Sequence, residues 1–395
     1  MRILTRYILF DLMRVFLLTL TGMTALIFIA LVGKEAVEKG LGLGPLLQML
    51  PYLLPQAMQF AIPGTMLLAT TSVYGRMSAF NEVVAIKSLG ISPWAIVWPT
   101  LTLATVVSLG AVLMNDLAVS WGRLGVQRVF IESLEEVVYG RLNTTRTYSD
   151  GKLKITVKYV DLDGRKLVEP ILEVRDNGGG QSLSITAEEA ELYSNPDEGK
   201  LVIRLTNFQA DGNVKVSHPR TYEHVIALDE LSSTSSKNRS PSTFALSEIR
   251  PALKAQQKRI KNLEQEMAAG AAFALMTGEF EELSAASWQP QVEEQRGLEG
   301  ILHRLYTEPV RRWANGFSCL CFVLVGVPMA IIRQKGEFLA SFFICFAPIL
   351  LVYYPLLMFS VGQAKDGALP PVTVWLGNAV LALWGLWMMR RVVRY

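Results

Sequence analysis

The sequence predicts an α+β membrane protein with six transmembrane helices, a periplasmic antiparallel β-jellyroll-like domain and an added helical stalk. Three observations lead there. Apolar residues gather in six long runs toward the two ends of the 395-residue chain, lysine and arginine cluster at one end of those runs, and the polar middle switches to a period-two pattern. The expected segments are 1–135 for spans one to three, 136–243 for the β-domain, 244–308 for the stalk and 309–395 for spans four to six.

A helix needs about 20 largely apolar residues to cross the hydrocarbon layer. The runs that qualify are 8–32, 52–74, 95–114, 313–332, 338–361 and 372–389. The first is too long for a signal-peptide core and no small-residue cleavage site follows it, so it is expected to stay attached. A mean hydropathy of +0.30 suits a chain with roughly a third of its length in lipid. Pro55, Pro63, Pro99, Pro328, Pro348 and Pro355 lie within or beside the runs. Each removes a backbone donor and can bend its helix, either as ordinary packing or as flexing around a lipid cavity.

Orientation follows from the basic residues of the short loops. Arg2, Arg6 and Arg14, then Arg76 and Lys87, then Arg333 and Lys335, then Arg390, Arg391 and Arg394 all fall on one side if the spans number six. The expectation is a multi-pass protein of a bacterial inner membrane with both termini cytoplasmic and the large domain periplasmic.

In the middle, Lys152, Lys154 and Lys158 alternate with Leu153, Ile155, Val157 and Tyr159, the mark of a strand with one wet and one buried face. Short segments at 169–174, 182–187, 200–207 and 214–216 repeat the pattern. The turn signals Asp163-Gly164, Asn177-Gly178, Asn195-Pro196 and Asp211-Gly212 separate them, pointing to a sandwich or jelly roll whose open edges could pair with another β-protein. A serine-rich linker at 231–242 ends the region. Beyond it Ile249, Leu253, Ile260, Leu263 and Met267 form a near-heptad stripe with Gln256 in the missing seam position. With a second helical stretch at 292–306 this predicts a hairpin or stalk, the stripe serving as an internal packing face.

Self-sufficient chemistry is missing. No phosphate-binding or dinucleotide-binding glycine motif occurs. His218, His224 and His303 are not spaced as metal ligands or as a triad, so neither a catalytic nor a metal site is assigned. Cys319, Cys321 and Cys345 all sit in apolar runs, where small packing residues are the simpler reading. A net charge of +3 gives no footing for nucleic acid. No chain of ionisable groups threads the spans as in a proton-coupled carrier. If the protein moves something, a partner supplies the energy.

The segment from Gly75 to Ser92, GRMSAFNEVVAIKSLGIS, reads as a loop helix of about 76–90 that Ser78 can cap and Gly90 can end. It resembles the G-x-[LM]-x-x-x-x-E-x-x-[AV]-[ILM]-[RK]-x-x-G-[IVF]-[ST] segment of the lipopolysaccharide-export permeases, the YjgP/YjgQ family that includes LptF and LptG. The resemblance extends along the chain through Arg6-Tyr7-Ile8, Asn115-Asp116, Tyr159-Val160, Ile185-Thr186-Ala187-Glu188, Gly326-Val327-Pro328, Tyr353-Tyr354, Leu369-Pro370-Pro371 and Trp375-Leu376-Gly377-Asn378. It implies a permease half of an ABC-type exporter that binds no cofactor itself. ATP would be used by a cytoplasmic LptB-like ATPase dimer. The other partners would be a second related permease or a second copy, LptC- and LptA-like periplasmic β-jellyroll bridge proteins, and lipopolysaccharide. By the same resemblance the loop helix is a coupling helix that docks on the ATPase, with Arg76, Phe80, Glu82, Val83 and Val84 on the contact. The plainer alternative is that Glu82 only complements the positive end of its own helix.

Lys34 and Lys39 at one end of span one, and Arg304, Arg311 and Arg312 before span four, run against the positive-inside bias. An anionic lipid headgroup would reward them through charge-assisted hydrogen bonds, and ordinary phospholipid headgroups would too. The stretch 244–306 is longer than the family's usual connection. Two other function classes remain open on sequence: a membrane-anchored scaffold whose periplasmic β-domain binds an envelope partner without transport, and a membrane enzyme acting on a lipid or glycan.

Overall fold

The computed structural model describes residues 2–39, 42–150, 153–161, 166–174, 183–195, 200–211, 216–218, 222–227, 240–278, 285–333 and 338–394. Lys152, Lys335, most of the serine-rich linker and the expected turns at Asp163-Gly164 and Asn177-Gly178 lie outside them, as do Pro196 and Gly212 of the other two. The chain forms two compact units. One comprises Met1–Phe28, Leu54–Gly122 and Pro241–Tyr395, the other Ile29–Leu53 and Arg123–Ser240.

Helices dominate the first unit. In chain order the described helices are α1 (Arg2–Lys39), α2 (Leu43–Ala79), α3 (Glu82–Ser88) and α4 (Pro93–Leu117), the last continued by a π-helical stretch Ala118–Arg123 and by α5 (Leu124–Glu132), which belongs to the second unit. After α6 (Leu134–Thr145) and the β-region come α7 (Leu246–Thr277), α8 (Ala285–Ile332), α9 (Phe338–Pro348), α10 (Tyr354–Lys365) and α11 (Leu376–Arg394). Among the described residues five helices are long and apolar enough to cross a membrane: Ile3–Val37, Pro93–Phe130, Trp288–Ile332, Phe342–Lys365 and Pro371–Val392.

The sixth apolar run lies in α2, which has the length but less apolar character. Gln48, Pro51, Pro55, Gln56, Gln59 and Pro63 interrupt the apolar residues of this helix. Ala57, Ala61, Met66, Leu67, Ala69, Val73 and Tyr74 are buried in the protein rather than offered to lipid. The hydroxyls of Thr65, Thr70 and Thr71 donate to carbonyls three and four residues back, so they are satisfied within the helix. The Tyr74 hydroxyl bonds the Ile96 carbonyl at 2.9 Å and Thr100 Oγ1 at 2.6 Å, tying α2 to α4. By contrast α1 buries one strip, Ile8, Leu12 and Phe16, and leaves Phe10, Leu17, Leu18, Leu26 and Ile29 exposed.

Helices approach closely where a side chain is missing. A Cβ on Gly316 of α8 would lie 2.3 Å from Val112 Cγ2 of α4, and one on Gly385 of α11 would lie 2.6 Å from the Leu324 carbonyl oxygen of α8. Asn378 Nδ2 of α11 also donates to the Ala314 carbonyl of α8 at 2.8 Å. Helices α7 and α8 pack antiparallel, with Ile249, Ile260 and Ala274 buried. Gln256 fills the polar seam position and donates to the Leu298 carbonyl at 2.9 Å.

Among the described residues the second unit holds nine antiparallel strands: β1 (Thr147–Asp150), β2 (Leu153–Thr156), β3 (Tyr159–Asp161), β4 (Lys166–Val168), β5 (Ile171–Val174), β6 (Leu183–Asn195), β7 (Lys200–Asp211), β8 (Val216–His218) and β9 (Tyr222–Ala227). The single strand expected over 152–160 is two strands, because the chain changes partner after Thr156 from β1 and β5 to β4. The long β6–β7 pair is the spine. Half of β6 pairs with β5 and half with β4, while β7 pairs with β8 at one end and β9 at the other. The change falls at Glu188 and Asn207, which are skipped in the ladder. Asn207 adopts φ 53° and its amide donates to Glu188 Oε2 at 2.8 Å, while the Glu169 N–H bonds the Glu188 carbonyl. Ile155, Val157, Leu167, Leu172, Ala187, Ala190 and Leu205 form one core with Val138, Tyr139 and Leu142 of α6.

Candidate functional site

Two groups of residues in the first unit have the chemistry of a working site. The first is the reversal between α2 and α4. Helix α2 runs on to Ala79, so Ser78 caps nothing; its hydroxyl donates to the Ile331 carbonyl at the end of α8 at 2.8 Å. Asn81, at φ 56°, supplies the left-handed residue that lets the chain turn directly into α3. The loop helix is therefore shorter than the expected 76–90. Gly90, at φ 74°, closes it: the Gly90 N–H bonds the Lys87 carbonyl at 2.9 Å and the Ile91 N–H bonds that of Ile86 at 3.4 Å, a Schellman ending. Ser92 and Pro93 then open α4.

This turn is fastened on three sides. Arg76 forms an ion pair with Asp11 of α1, Ser78 holds α8, and Lys87 Nζ donates to the Val392 carbonyl of α11 at 2.7 Å. Glu82 sits in the first turn of α3, half-buried, where its charge complements the free N–H groups. The apolar residues divide in a way the spacing did not reveal. Val83 is 3% exposed and belongs to the core with Ile96, Val97 and Met77, so it cannot supply an outward contact. Phe80, Val84 and Leu89 are 71%, 49% and 76% exposed. Leu89 was not among the expected contact residues; its place just before a helix-ending glycine was the available signal.

The second group lies at the other end of α4, α8 and α10. Arg312, expected at a headgroup, is 1% exposed and turned inward. Its Nη1 donates to Asp116 Oδ1 at 2.9 Å and its Nη2 to the Phe244 carbonyl at 2.6 Å. The same Asp116 oxygen accepts the Leu246 N–H at 2.9 Å. Ala245 has no acceptor of its own, so α4 caps α7 from outside while Glu248 reaches back to the Ala245 N–H. One helical turn earlier, Glu308 is equally buried and meets two cations, Arg311 Nη2 at 2.7 Å and Lys365 Nζ at 3.8 Å. Thr307 Oγ1 donates to the Ala364 carbonyl at 3.2 Å, closing α8 on α10. Arg304 is exposed on α8, and Lys34 is exposed on α1, which ends at Lys39.

Asp116, Glu308 and Lys365 are thus the residues that sequence reasoning missed here. A lone carboxylate at the end of an apolar run was the signal for the first. Among the described residues no group of acidic, histidine or cysteine side chains could hold a metal ion. A search of curated proteins gives no match. A family model described as "Lipopolysaccharide export system permease LptF/LptG" matches residues 6–391.

Proposed function

The chain belongs to the LptF/LptG family of lipopolysaccharide export permeases, and from that premise we propose that it is the membrane-spanning half of an exporter driven by a separate ATP-hydrolysing subunit. In this reading α2 is the sixth span, hidden among its neighbours, so the chain crosses the inner membrane six times with both termini and α3 cytoplasmic. The β-unit and the α7–α8 hairpin are periplasmic. A second permease subunit completes the lipid cavity, and periplasmic β-proteins receive the cargo at an open edge of the sheet.

One observation carries the coupling part of the proposal. The reversal from Arg76 to Leu89, fastened to α1 and α8 through the end of α2 and to α11 through α3, offers Phe80, Val84 and Leu89 outward with Glu82 beside them. Apolar side chains exposed on a polar-flanked turn mark a docking surface, and the three anchors would pass movement of that surface to the ends of three helices. Glu82 would pair with a basic residue of the ATPase, and Phe80 would fill an apolar pocket as an interface anchor. Lys34, Lys39, Arg304 and Arg311 are the cations we assign to an anionic headgroup, whereas Arg312 is turned inward to Asp116.

The test is co-purification of the ATPase with the detergent-extracted chain. Glu82→Arg and Phe80→Ser should each reduce capture and lipopolysaccharide delivery while leaving the thermal midpoint of the permease unchanged. Val83→Ala should instead lower the midpoint, the lost core packing costing about 2–3 kcal/mol. Full capture by both Glu82→Arg and Phe80→Ser would sink the coupling assignment.

A further inference from the structure

Helix α7 carries a charge pattern that its own packing does not use. Arg250, Lys254, Lys258 and Lys261 recur at i, i+4, i+8 and i+11, the spacing that places side chains on one helical face. All four are exposed. Among the described residues none of them takes part in an ion pair. The flank that packs is a different one, through Ile249, Gln256 and Ile260. Four like charges in a row repel one another, and an anionic ligand lying along them would relieve that repulsion.

The height of the stripe selects among anions. The Leu246 N–H is bonded to Asp116, the second residue past the apolar run 95–114 of α4. At about 1.5 Å per residue, Lys254, Lys258 and Lys261 stand roughly 12, 18 and 22 Å further along α7. The antiparallel arm puts the stripe no lower: Gln256, about 15 Å along α7, bonds Leu298, which lies 14 residues before Arg312 (312 − 298), or about 21 Å along α8. A bilayer's headgroup layer adds only about 5–7 Å to each side of the hydrocarbon. Three of the four cations therefore stand beyond the reach of ordinary phospholipid headgroups. A glycolipid with a tall, phosphorylated saccharide head spans that interval.

We infer that Arg250, Lys254, Lys258 and Lys261 form a track for the phosphorylated saccharide head of the exported glycolipid. Each cation takes an anionic group in a charge-assisted hydrogen bond as the molecule rises from the membrane. The inference rests on the lipopolysaccharide-export reading above and adds a contact on a hairpin outside the lipid cavity.

The experiment uses the full complex with its ATPase, reconstituted in vesicles holding lipopolysaccharide and anionic phospholipid. Photo-crosslinking residues placed at Lys258 and Lys261 should capture lipopolysaccharide when ATP is supplied. The variant R250Q/K254Q/K258Q/K261Q should lower delivery several-fold with ATPase capture and basal ATP turnover unchanged. Lipopolysaccharide stripped of its saccharide phosphates should show the same loss with the unaltered protein, and the variant should add nothing to it. Crosslinks to phospholipid alone, or unchanged delivery by the variant, overturn the track. If the fourfold variant fails to assemble, the crosslinking arm decides by itself. An unaltered complex that delivers no lipopolysaccharide at all overturns the export reading, an outcome distinct from normal delivery that ignores the four substitutions.

Discussion

Arg312 and Asp116 illustrate how one side chain can serve two elements. Asp116→Ala would leave the buried guanidinium with carbonyl partners only and strip α7 of its first acceptor. Removing one member of a buried pair costs about 3–5 kcal/mol, so a clear fall in thermal midpoint is expected in detergent. The double variant Asp116→Ala with Arg312→Met should recover much of that loss, because no charge is left stranded. Glu308→Ala should cost less: Arg311 and Lys365 are both near a third exposed and can turn to water. In the β-unit the Lys158 and Lys166 ammonium groups are held above the ordinary lysine range by hydrogen bonds to Glu169 and Glu189. A raised lysine value means the protonated partner is favoured in the fold. That contribution is complete below about pH 10.5 and is lost only as pH rises past the folded value, so unfolding of this unit should be indifferent to pH between 7 and 9 on their account. None of these pairs was legible in the sequence. Asp116 and Arg312 are 196 positions apart, and a basic residue near a membrane surface reads as solvent-facing until the fold turns it inward.

Between residues and the molecule stand the elements, and here the sequence told more. Lipid imposes a long apolar run on any helix it surrounds, so five spans stand out plainly, and a sixth run could be read even though its helix is screened by neighbours. Gln256 in the seam of α7 was readable as a filled position because the apolar residues around it keep their period. Other features depend on contacts that no local pattern encodes. The inward turn of Val83 needs the core of Ile96 and Met77 around it. The break in the β6–β7 ladder sets Asn207 in a left-handed conformation bonded to Glu188. Asn207→Val should therefore destabilise the β-unit by about 1–2 kcal/mol, whereas Asn207→Gly should lose only the amide bond; urea unfolding measured by tryptophan-independent far-UV signal would separate them. Gly385→Val should push α11 off the Leu324 backbone of α8, an overpacking cost of about 1–3 kcal/mol. The nearby Gly362, with nothing within 4 Å of an added Cβ, should accept alanine with little change in midpoint.

At the scale of the whole molecule the proposed six-span threading makes a prediction that labelling can check. A cysteine at Val84 should react with a permeant reagent only, and one at Met276 with an impermeant reagent added outside. The native Cys319, Cys321 and Cys345 are buried and should give little background. Labelling of Val84 from outside would reverse the orientation and with it the coupling assignment. The family was legible from motifs scattered over most of the chain, because matching residues in order along six apolar runs constrain the whole path. The continuity of α8 was not, since Pro290 and Pro309 each suggest a break and neither ends the helix. That continuity has a mechanical corollary. The 48 residues from Ala285 to Ile332 make a single rod of about 72 Å, with Ser78 gripping its foot through the Ile331 carbonyl. A lever of that length converts a foot tilt of about 5° into a sweep of roughly 6 Å at the far tip. Small strokes at one end of this helix are thus geared up at the other as far as its turns at Pro290, Pro309 and Pro328 transmit them.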